Sequence, residues 1–209
     1  MSSTSTGRRA EYAEQTREAI ITAARELFTE RGYFATTVNQ IAERARVAPA
    51  TVYAVTGGKH GLIATLVDRW STAPIVAERG ALITASRDPH EALRLTAEAV
   101  RDMRIAYGDI MQTARSVAPH DKAVAESLQT ATTRYRASLN SVADHLNNLN
   151  ALGVDLKTAQ DILWFHFGYT GFATLVTETN WTYEQATTWL TTQTAQALNL
   201  HKPRELHPG

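Results

Sequence analysis

The chain has 209 residues, 21 basic and 21 acidic side chains and so no net charge, and an ordinary globular content of apolar residues. It has no cysteine, which excludes disulfides, thiolate metal sites and cysteine nucleophiles. No stretch approaches the ~20 apolar residues of a membrane helix. The opening MSSTSTGRRAE lacks the apolar run of a secretory signal, so a cytoplasmic protein with no membrane partner is expected.

Residues 1–10 are rich in Ser and Thr, include Arg8 and Arg9, and predict a flexible N-terminal arm. A helix is expected from about Glu11 to Arg31, with Ile20, Ala24, Leu27 and Phe28 on one face and Gly32 as its stop. Val38, Ile41, Ala42 and Ala45 then recur at i, i+3, i+4 and i+7, the face of a second helix. Thr37 before that run and Gln40 three residues on form a capping box, in which each side chain satisfies an orphan backbone N–H. Arg46-Val47-Ala48 breaks the pattern, and Pro49 suits the first position of a new helix because its missing N–H is not needed there. That third helix is short and carries Ala50, Thr51, Val52 and Tyr53, of which Val52 alone need be buried. Small exposed side chains on a short helix are what a major groove admits, because bulk would hold the helix away from base edges. The arrangement predicts a helix-turn-helix and a double-stranded DNA partner.

Charge supports this weakly. Residues 1–60 hold eight basic against six acidic side chains, so tight binding to phosphates would need two copies. Two readings of the arm stay open: a solvated tail, or one whose arginines touch the DNA backbone or minor groove.

The run from Thr16 to Trp70 resembles the DNA-binding domain of the tetracycline-repressor (TetR) family. The matching residues are Ala24, Leu27, Phe28, Gly32, Tyr33, Thr37-Val38, Ile41-Ala42-Glu43, Ala45, Val47, Thr51-Val52-Tyr53, Lys59 and Leu62, over roughly a quarter of the chain. Arg46, Ala48 and Thr56 stand where the family usually has Gly, a capping hydroxyl and an aromatic. A left-handed Arg46 would be strained by roughly 1–2 kcal/mol. The resemblance implies phosphate contacts by Tyr53 and Lys59. With the residues read above, the candidate DNA-binding set is Thr37, Gln40, Arg46, Pro49, Ala50, Thr51, Tyr53 and Lys59.

Further along, Gly57-Gly58 read as a flexible joint before a helix presenting Leu62, Ile63, Leu66, Val67 and Trp70, with a break at Pro74. Asp88-Pro89-His90-Glu91 is a start signal, with Glu91 closing a capping box. Its helix is expected to reach about Tyr107, with a separate short helix over Ile110–Ser116. After the Pro119 turn, Leu128, Tyr135, Val142 and Leu149 recur every seven residues, interleaved with Ala131, Leu139 and Leu146, as in a long packed helix. Asp155 caps the next helix. Residues 162–176, ILWFHFGYTGFATLV, are apolar nearly all round and too short to cross a membrane, so they are expected to be buried on two faces. Gly168 and Gly171 there would permit close approach of a neighbour. Thr182 with Gln185 caps a last helix.

The seven histidines are scattered, with no i, i+4 pair, and neither a metal site, a cofactor nor a catalytic residue is expected. Met103, Tyr107, Met111, Trp164, His166 and Tyr169 are candidates for a ligand pocket, beside the plainer reading of core packing. The expected protein is therefore all-α. A DNA-binding domain (11–58) is followed by an antiparallel helical bundle (59–201) for ligand binding and dimerisation, then a C-terminal tail (202–209). The expected activity is that of a homodimeric, non-enzymatic repressor, released from its operator by a small apolar ligand. The alternative is a ligand-binding or enzymatic bundle whose helix-turn-helix is vestigial.

Overall fold

The computed structural model describes residues 3–201, so the expected tail at 202–209 lies outside the described residues. No strand occurs among them, and no helix is long and apolar enough to cross a membrane. In chain order the helices are α1 (Ser3–Arg31), α2 (Val38–Ala45), α3 (Pro49–Thr56), α4 (Lys59–Ser71), α5 (Pro74–Ala85), α6 (Pro89–Val117), α7 (Lys122–Asn148), α8 (Leu156–Phe167), α9 (Gly171–Ala173) and α10 (Tyr183–Ala197). A 3₁₀ turn (Ala118–His120) joins α6 to α7, and a π-helical turn (Thr174–Glu178) follows α9.

The helices gather into two compact units. The first holds the chain up to Ser71 together with Asp109–Ala131; the second holds Thr72–Gly108 and the chain from Thr132 onward. The physical division therefore differs from a boundary at 58/59. Leu62, Ile63, Leu66, Val67 and Trp70 of α4 are all buried in the first unit, as are Ile20, Ala24, Leu27 and Phe28 of α1. Ile41 and Ala42 of α2 and Val52 of α3 complete the apolar contribution of the helix-turn-helix. In this unit Arg25 grips Asp109 with two bonds, Nε to Oδ2 at 2.7 Å and Nη2 to Oδ1 at 2.8 Å. Burial would raise the Asp109 pKa, but these bonds and the guanidinium charge hold it below the ordinary carboxylate range.

The second unit packs Leu93, Ala97 and Val100 of α6, Leu139, Val142 and Leu146 of α7, Leu163 and Phe167 of α8, Phe172 of α9 and Leu190 of α10 into one core.

Several expectations are corrected. The arm at 1–10 is helical from Ser3 on, because once a helix is nucleated each added residue gains a hydrogen bond at little further cost. Arg8 and Arg9 are exposed on it. Helix α6 runs unbroken through Gly108, where the sequence suggested an end near Tyr107: a single glycine costs only about 1 kcal/mol, less than the flanking packing supplies. Glu91 bonds Arg94 instead of closing a capping box, while Asp88 Oδ1 caps the His90 N–H at 2.9 Å. The Gly57 N–H donates to Tyr53 O at 2.8 Å with φ at 71°, which makes Gly57 the C-cap of α3 and not a loose joint.

The apolar run 162–176 is not one helix. Gly168 ends α8, and a Cβ there would lie 2.2 Å from Trp164 O; one at Gly171 would lie 2.0 Å from His166 O. These glycines serve a tight corner in their own chain. Leu163, Phe167 and Phe172 are buried, whereas Phe165 is 72% exposed.

Candidate nucleic-acid interface

Local sequence fixes the start of α2. Thr37 Oγ1 accepts from the Gln40 N–H at 3.3 Å, and Gln40 Oε1 accepts from the Thr37 N–H at 2.9 Å. Both side chains are thus used in the cap, although the Gln40 amide keeps its NH₂ donors. Thr37 is exposed at the positive end of the helix dipole, where an anion is favoured.

Arg46 terminates α2 in the left-handed conformation, φ 56° and ψ 43°, with its N–H on Glu43 O at 3.1 Å. Its side chain is exposed in the turn between α2 and α3. Ala48 is the N-cap of α3 and offers no side-chain cap. Pro49 stands at the helix start, and Pro49, Ala50, Tyr53 and Ala54 are exposed with Thr51 half-exposed. Val52 is fully buried and anchors the helix from behind. Tyr53 is 58% exposed, with its ring edge near Gly58. The exposed residues of α3 are therefore small apart from Tyr53, and Arg46 is exposed in the turn before them.

Two cations in this region are engaged within the protein. Arg44 pairs with Glu30 at 2.6 and 2.9 Å; this raises the Arg44 pKa and lowers that of Glu30. Lys59 Nζ donates to Tyr33 O and Thr36 O, both at 2.7 Å. It lies 4.4 Å from the centre of the Tyr33 ring, and burial lowers its pKa.

Of the six ligand candidates, Trp164 and Tyr169 come together, ring centres 5.6 Å apart, each edge-on to Tyr135. Sequence reasoning missed the polar heart of this cluster. Arg104, 6% exposed, donates from Nη2 to Gly168 O at 2.6 Å and lies 5.7 Å from the ring centres of both Tyr135 and Tyr169. The Tyr135 hydroxyl donates to Phe167 O, and Thr132 shares a 2.9 Å bond with the Tyr169 hydroxyl. A signal for Arg104 was available: it follows Ala97 and Val100 on the buried stripe of α6, where a charge demands partners. His166 is turned to its own helix, Nδ1 on Ile162 O at 3.0 Å, and burial lowers its pKa. Met103 and Tyr107 are half-exposed on α6, and Met111 belongs to the core of the first unit. Among the described residues no three His, Asp or Glu side chains gather as metal ligands.

A capped helix pair presenting a short third helix, followed by a helical body, is the architecture of helix-turn-helix proteins. Residues 20–66 match the family model of the bacterial regulatory proteins of the tetR family. A stretch of 50 residues, 24% of this chain, is 42% identical to the HTH-type transcriptional regulator HbdR of Aromatoleum sp. (strain CIB). That stretch spans 22% of the length of the curated relative. In fold the chain is similar to the transcriptional regulator FadR of Bacillus subtilis, solved in complex with stearoyl-CoA. The TM-score is 0.70 at 15% identity, over 86% of this chain and 98% of that one. It is similar also to a TetR-family regulator of Mesorhizobium loti, with a TM-score of 0.67 at 17% identity over 90% and 96%. Over residues 20–66 the chain thus matches the DNA-binding region of the tetR family in sequence, and over most of its length it shares the fold of these solved regulators.

Proposed function

We propose that the chain is a homodimeric, non-enzymatic repressor that binds a pseudo-palindromic operator. The first unit binds DNA, and the second responds to a small, mostly apolar ligand and holds the dimer. The observation that carries this reading is the outward face of α3, where Pro49, Ala50 and Thr51 are small and accessible while Val52 fixes the helix from behind. Ala50 and Thr51 face base edges; the Thr51 methyl suits a thymine and its hydroxyl a donor or acceptor. Thr37, with the dipole of α2 behind it, and Tyr53 and Arg46 at the rim meet phosphates, with Gln40 beside them. Two heads would enter successive major grooves about one helical turn apart. A ligand that reduces operator occupancy a hundredfold must favour the DNA-incompetent state by about 2.7 kcal/mol.

Binding-site selection with the full chain, followed by salt titration on the selected duplex, tests the reading. Thr51→Val should relax preference at one operator position by roughly 1–3 kcal/mol and leave the rest unchanged. Unaltered preference in both Thr51→Val and Thr51→Ala would remove Thr51 from base reading, and no selected sequence at all would remove the function. The dimer is assigned to α8 and α10, whose exposed Phe165 and Trp189 leave apolar area uncovered in one copy. Sedimentation should give a dimer for the wild type and a folded monomer for Phe165→Glu.

A further inference from the structure

Lys59 is the first residue of α4, directly after the Gly57-Gly58 corner that closes α3. Its ammonium reaches back to the turn between α1 and α2, bonding the carbonyls of Tyr33 and Thr36 at 2.7 Å each. The ring of Tyr33 covers it at 4.4 Å. Thr36 is 1% exposed, and its hydroxyl ties the same turn to α1 through Gly32 O at 2.8 Å and Leu27 O at 3.2 Å. The next residue, Thr37, caps α2. The turn is thus held between a neutral hydroxyl on the α1 side and a charged ammonium on the α4 side. Two of the three ammonium donors are committed there, in the strong class of charge-assisted hydrogen bonds. Desolvation that lowers the Lys59 pKa agrees with an ammonium turned inward.

We propose that Lys59 is a positioning residue: its ammonium clamps the α1–α2 turn and so sets where the capped start of α2, and with it α3, meets the DNA, without binding a phosphate itself. The inference rests on operator binding by the first unit. It makes the clamp a device for register, since α3 is seated through α2 on one side and α4 on the other, and the same ammonium joins α4 to the entry of α2.

The test is operator binding by the full chain at several salt concentrations, for the wild type and Lys59→Met, which keeps an unbranched apolar stem and removes the charge. Affinity should fall roughly tenfold, as for loss of bonds to a charged donor, while the salt slope stays at the wild-type value. A slope lowered by about one would identify a phosphate contact and overturn the proposal. Unchanged affinity with unchanged slope would overturn it equally. Amide exchange should quicken at Gln40 and Ile41 while Ile63 and Leu66 keep their protection; equal quickening everywhere would mark a general loss of stability and defeat the positioning role. A second measurement needs no variant and no DNA. Acylation of the wild-type chain should label Lys59 far more slowly than Lys122, whose side chain is 91% exposed. Equal labelling would refute the clamp even if Lys59→Met does not fold. Should the wild type bind no duplex, the operator reading fails, and the labelling result still decides the clamp.

Discussion

Two helix ends in this molecule are satisfied in opposite ways. At the start of α2 the orphan N–H groups are met by Thr37 and Gln40, three residues apart. At the end of α8 the carbonyls of Phe167 and Gly168 are met by Tyr135 and Arg104, which lie 32 and 64 residues away in sequence. The first is a local device that closes as the helix forms. The second closes only when α6, α7 and α8 have packed. A segment stabilised in the first way is legible one turn at a time, and one stabilised in the second is not.

The largest effect expected from breaking this contrast is at the α8 corner. Gly171→Leu places a side chain where a Cβ already meets His166 O at 2.0 Å, and should destabilise the protein by about 3 kcal/mol or more, measured by urea unfolding. A loss below about 1 kcal/mol would mean that the corner has an alternative conformation. Arg104→Met follows, at about 2–3 kcal/mol, because it leaves the buried Gly168 carbonyl without its charged donor. Thr37→Ala removes only the local cap and should cost about 1 kcal/mol. Equal losses for Arg104→Met and Thr37→Ala would erase the distinction between the two ends.

The Arg25–Asp109 bridge gives a smaller, pH-dependent signature. A carboxylate whose folded pKa is depressed contributes stability above its unfolded pKa and loses it as pH falls through the folded value. Stability of the wild type should therefore decline more steeply than that of Asp109→Asn as pH drops below about 4. Parallel pH profiles would show that the bridge contributes nothing.

The smallest stability effect, and the only one of opposite sign, is at Arg46. Arg46→Gly relieves a left-handed φ but loosens the unfolded chain, so stability should rise by no more than about 1 kcal/mol. Under the proposed phosphate contact, operator affinity should fall and the salt slope drop by about one. A variant both more stable and equally tight on DNA would show that the guanidinium is idle.

The sequence by itself determined the features whose partners lie within one helical turn. These are the Thr37–Gln40 and Thr182–Gln185 capping boxes, Asp155 at the start of α8, Pro49 at the start of α3, and the apolar faces of α1, α2 and α4. It carried the outward face of α3 too, because a short helix with one buried valine leaves its small residues outside. Only the tertiary structure decided that α6 continues through Gly108 and that the apolar run after Ile162 turns a corner at Gly168. It alone turned Lys59 inward to the α1–α2 turn, joined Arg25 to Asp109 across 84 residues, and set Arg104 among Tyr135 and Tyr169. The physical reason is range. A cap or a helical stripe is specified by spacing along the chain, whereas the partner of a buried charge is whichever acceptor the packed core brings within three ångströms or so, and no local pattern encodes that meeting.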